Sequence, residues 1–138
     1  MKNVEYISRS VRNALVVHPD LAVLSATQAV LTQHGMTVII ARDLPTALLA
    51  ISQHRFELCI LSVGISEKAD GWALASVLHM CFPNAYIAMI APDPDLFILQ
   101  TAINTGVTQL YLATRSAVEI AADIAKDFAG KSPGERLQ

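Results

Sequence analysis

The chain has 138 residues and a mass of 14.9 kDa, the size of one ordinary domain. Ten Lys+Arg against twelve Asp+Glu give a formal charge of −2 and a pI near 6.0, which argues against direct nucleic-acid binding, since that needs clustered positive charge. Hydrophobic residues make up 53% and charged residues 16%, the latter below the roughly 25% of typical domains, so there is apolar matter for a core and some to spare.

Short β-branched runs alternate with longer helical stretches along the whole chain. Ala14–Val17 is a continuous apolar run stopped by His18-Pro19, and Asp20 to His34 reads as a helix closed by Gly35. Thr37–Ile40 is the second strand, followed by a helix from Asp43 to His54 with Asp43 as N-cap and Pro45 in its first turn. Leu58–Leu61 is the third strand. A loop of small and polar residues leads to Asp70-Gly71, and Trp72 to Cys81 is the third helix. Tyr86–Ile90 is the fourth strand. Asp93-Pro94-Asp95 then opens a helix as cap, first-turn proline and acid at the positive end of the dipole, and that helix stops at Gly106. Gln109–Leu112 is the fifth strand, and the capping box Ser116-Ala117-Val118-Glu119 starts a last helix running to Ala129.

The tally is (βα)₅ in a domain of residues 14–129, with 1–13 an N-terminal extension and 130–138 a polar tail or the start of a linker. Uninterrupted apolar strands between helices predict a parallel sheet covered on both faces. Right-handed crossovers then predict a doubly wound, flavodoxin-like α/β fold of five strands in the order 2-1-3-4-5. The longest apolar stretch, Trp72 to Phe82, is far short of the ~20 residues of a membrane span. Lys2, Glu5, Arg9 and Arg12 stand where a signal peptide would be apolar. Two cysteines make no disulfide framework, so a cytoplasmic protein is expected.

In such a sheet the functional crevice lies at the carboxyl ends of the strands. The residues there are His18, Pro19 and Asp20, then Ser62, Ala91-Pro92 and Ala113-Thr114. No Gly-rich loop follows the first strand, which excludes a dinucleotide or P-loop site. Asp20 is the lone carboxylate and reads as a helix cap. The four histidines lack ligand spacing, so neither a metal nor another cofactor is expected.

These features in register resemble the receiver domain of bacterial response regulators, from Ala14 to Phe128. The resemblance is carried by Leu15-Val16-Val17 before a polar triplet, Phe56–Leu61 before the acceptor position, Asp70-Gly71, Pro83-Asn84 and Ala102–Gly106. It implies a two-component signalling role, and it implies where the phosphorylation chemistry should sit. In the family an acidic pair after the first strand holds Mg²⁺; here those positions are His18 and Pro19, with only Asp20 acidic. The phosphoacceptor position is Ser62, or Val63 if the 62–71 loop is slid by one. The switch Thr/Ser position is Ala91, the phosphoryl-contacting Lys position is Ala113, and the switch-aromatic position is Leu110. Tyr111, one residue later, points to the other face and reads as packing. Phosphoryl transfer needs a metal and fixed cations, so a pseudo-receiver without catalytic activity is expected.

The fourth helix carries a second apolar stripe, Leu96, Leu99 and Ile103, beside the Ile98–Ala102 face. By the resemblance it faces outward near the fifth strand and helix, predicting a homodimer interface that includes Tyr111. The leading expectation is a phosphorylation-independent signalling domain acting by protein–protein contact, with an output domain or partner beyond residue 130. The alternative is a small-molecule sensor using the emptied crevice.

Overall fold

Side chains alternate between the two faces of a strand, and here both sets are apolar in the central strands. The computed structural model describes residues 12–93 and 95–131. The elements are β1 (Arg12–Val17), α1 (Leu21–Gln33), β2 (Met36–Ala41), α2 (Leu44–Gln53), β3 (Leu58–Ser62), α3 (Gly71–Cys81), β4 (Tyr86–Ala91), α4 (Leu96–Asn104), β5 (Gln109–Leu112) and α5 (Ala117–Ala129). All neighbouring strands are parallel, and their order is β2-β1-β3-β4-β5, as the alternation predicts. β1 begins at Arg12, two residues before the apolar run, because its first two residues still pair with β2. Residues 1–11 of the expected extension, and 132–138 of the expected tail, lie outside the described residues.

One set of strand side chains, including Leu15, Val17, Cys59, Leu61, Ile87 and Met89, packs with α2, α3 and Ala102 of α4. The other set, including Val16, Leu58, Ile60, Tyr86 and Ala88, packs with Leu24 and Leu31 of α1 and Ile120, Ile124 and Phe128 of α5. Burial of both faces accounts for the unbroken apolar runs.

Caps fix where the helices begin. Asp20 accepts from Ala22 N at 2.8 Å and Asp43 from Thr46 N at 2.8 Å. Ser116 and Glu119 form the expected capping box. The start of α4 corrects the sequence reading. Its cap is Asp95, whose Oδ1 accepts from Ile98 N at 2.8 Å, so the helix begins at Leu96 rather than after Asp93. Two acids flank Pro94, and the second one has the extended backbone a cap requires.

Candidate functional site

The crevice is built where β1, β3 and β4 end side by side. His18 follows the last β1–β3 pair, Val17 with Leu61, and Ser62 closes β3 opposite Ile90. Ala91 closes β4, and its carbonyl accepts from Ala113 N at 2.9 Å just beyond β5. The fold therefore brings the residues singled out in sequence to one edge of the sheet, with Ala91 buried and Ala113 exposed.

His18, Asp20 and Arg42 at this edge are engaged with backbone. His18 N donates to Ala41 O, and His18 Nδ1 accepts from Asp20 N at 3.0 Å. That acceptor role places any ring proton of the neutral imidazole on Nε2. Burial lowers the His18 pKa below its ordinary 6.5, partly opposed by the nearby Asp20 carboxylate. Asp20 itself is the N-cap of α1. Arg42, after β2, donates from Nε and Nη2 to Pro19 O at 3.3 and 3.2 Å. Arg115, beyond Ala113, pairs with Asp123 at 2.6 Å.

The loop from Val63 to Asp70 is pinned by a carboxylate that the sequence suggests as a helix opener. Asp70 Oδ1 accepts from Ile65 N at 2.7 Å, and Oδ2 accepts from Ser66 N and Glu67 N at 2.9 and 2.8 Å. The side chain thus reaches back into the loop and makes no forward cap bond to α3. Burial pushes its pKa up, but the bonds from Ile65, Glu67 and Ser66 together hold it below the usual value. Gly71 follows because the helix start meets the end of β3: a Cβ there would lie 1.9 Å from Ser62 O. Among the described residues no group of three or more His, Cys, Asp or Glu is placed to hold a metal ion.

The outer face of α4 is apolar. Ile98 packs on the core and Ala102 is buried, while Leu96 (68%), Phe97 (71%), Leu99 (49%) and Ile103 (70%) are exposed. Leu96, Leu99 and Ile103 are the expected stripe. Phe97 is missed by that periodicity because its i+4 neighbour is Thr101; the signal available was the run Leu96–Leu99, which a helix cannot bury whole. On α3, Val77 and Met80 are also exposed. Leu110 points to the α2–α3–α4 side. Tyr111 lies half-buried on the α1–α5 side, and its hydroxyl meets Tyr86 Oη at 2.9 Å. Tyr86 in turn donates to Asp127 of α5. Burial first, then these partners, pushes the Tyr86 phenol far above its ordinary value. This link, between residues 25 and 41 positions apart, leaves no mark in the sequence.

No protein-family profile matches the chain, and no curated protein matches it. Solved structures do. A CheY-like receiver domain protein from Methanospirillum hungatei JF-1 superposes with a TM-score of 0.76 at 21% identity, over 87% of this chain and 95% of that one. Chemotaxis response regulator CheY4 of Vibrio cholerae gives 0.75 at 18%, over 86% and 98%. The receiver domain of NtrX from Brucella abortus gives 0.73 at 22%, over 86% and 99%. The fold is thus the doubly wound α/β fold of response-regulator receiver domains. No helix of the described residues is long and apolar enough to cross a membrane.

Proposed function

We propose that this chain is a signalling domain with a receiver fold that acts through protein–protein contact and without phosphoryl transfer. The observation that carries the reading is the edge formed by His18, Pro19, Ser62, Ala91 and Ala113. Mg²⁺ is a hard cation that keeps much of its hydration and takes carboxylate oxygens. Of the acids around this edge, Asp20 holds the Ala22 N–H in the first turn of α1 and Asp70 holds three N–H groups of its own loop. Charge developing on a transferring phosphoryl group would meet two alanine methyls where it needs a hydroxyl and a cation.

Contact is supported by the outer face of α4. Four large apolar side chains on one short helix, α4, form the kind of exposed patch that marks an interface. The occupant we assign is a second copy, meeting this one through Leu96, Leu99 and Ile103 with β5 and α5 alongside. The test of the chemistry is incubation with a small phosphodonor and Mg²⁺, followed by intact mass. The reading expects no adduct; a base-labile species heavier by roughly 80 Da, one phosphoryl group, would overturn it.

A further inference from the structure

We propose that the free edge of β2 is a second contact surface, occupied by β2 of another copy laid antiparallel so that two sheets become one. Among the described residues β2 stands at the end of the strand order and pairs only with β1. Its ladder geometry says which groups are free. His18 N bonds to Ala41 O, so Thr37, Ile39 and Ala41 turn their backbone groups toward β1. The N–H and C=O groups of Met36, Val38 and Ile40 then face outward. Folded proteins blunt such edges with charge, proline or a bulge, and this strand, MTVIIA, has neither charge nor proline and pairs in unbroken register over six residues.

The choice of a second copy rests on charge and on pairing. From Leu21 to Ala41 there is no Lys, Arg, Asp or Glu. A two-fold axis at this edge therefore sets no like charges of β2 against each other, and a charged partner strand would find no counter-ion on β2 itself. With the axis at Val38, the outward backbone groups form hydrogen-bonded pairs of Val38 with Val38 and Met36 with Ile40 of the second copy. The same register puts exposed Thr37 beside half-buried Ile39 on the opposite face. Every cross-strand pair is then apolar or β-branched, the combination that stabilises sheets. A closed interface of this kind is isologous.

This edge and the α4 face lie at opposite ends of the sheet, so copies using both would link into an open chain. The inference adds to the α4 reading and is separable from it. Light scattering on the full 138-residue chain over a dilution series expects a mass above the dimer that rises with concentration. Leu99→Glu with Ile103→Glu stops growth at a dimer. Adding Thr37→Lys, a change at an exposed side chain, converts that dimer to monomer, and Val38→Pro, which removes an outward N–H but also trims a half-buried side chain, does the same. If the wild-type chain stops at a dimer and the α4 variant is monomeric, the β2 contact is wrong and the α4 contact stands. If the dimer is lost in Thr37→Lys but not in the α4 variant, the α4 reading fails alone. A monomer throughout overturns both.

Discussion

Gly71 and Asp70 show how single residues set the crevice. A methyl at Gly71 would sit 1.9 Å from one carbonyl oxygen and 2.8 Å from the next, so neither partner is a flexible side chain that can move aside. Gly71→Ala is expected to cost about 3 kcal/mol, measured by denaturant unfolding, at the upper end of overpacking penalties. Asp70→Ala frees three backbone N–H groups and should cost about 2 kcal/mol, since two of them regain water. Because the folded pKa of Asp70 lies below 3.8, its contribution is complete above that value and is lost as pH falls through the lower folded one. Asp70→Asn should therefore flatten the acid limb of the stability curve. His18 acts in the same direction at higher pH. Its folded pKa is below 6.5, so the unfolded chain binds the proton first and stability falls as pH drops below about 6.5. His18→Asn should remove that slope. Ser62→Asp tests the crevice itself: one carboxylate restored among His18, Pro19 and Ala113 is expected to gain no phosphorylation, read by intact mass.

At the level of elements, helix α4 separates what sequence patterns reveal from what they leave open. Asp95→Ala is expected to cost about 1 kcal/mol of stability, and Asp93→Ala less than about 0.5, because only Asp95 holds the first-turn N–H. The pattern Asp-Pro-Asp identifies a helix start but fits two registers of cap, and backbone geometry decides between them. The i, i+4 spacing marked Ile98 and Ala102 as one face of the helix, and the resemblance to receiver domains said that this face is the inward one. Phe97 was not, because an exposed aromatic without an apolar partner at helical spacing looks like noise. Strand ends behave similarly: β1 starts at Arg12, a residue whose charge hides its pairing with Met36. Tyr111 was legible as pointing away from the Leu110 face, since strand alternation requires it. Its bond to Tyr86, and the link onward to Asp127, depend on how α5 is turned, which no local pattern records.

For the whole molecule, alternation of strand and helix with right-handed crossovers was enough to predict the five-stranded order, because few topologies satisfy both. The placement of His18, Ser62, Ala91 and Ala113 on one edge follows from that order. What the crevice lacks was readable as residue types. That Asp20 caps α1 was readable too; that Asp70 serves loop amides was not, for it closes a loop whose path depends on Gly71 meeting β3. The central claim concerns this edge: it binds no metal-assisted phosphoryl group. The most direct measurement is an amide-resolved NMR titration with Mg²⁺ and beryllofluoride, a phosphoryl mimic that requires no turnover. The account predicts no saturable shift at Val63, Ala91 or Ala113. A saturable, Mg²⁺-dependent shift at these three amides would contradict it.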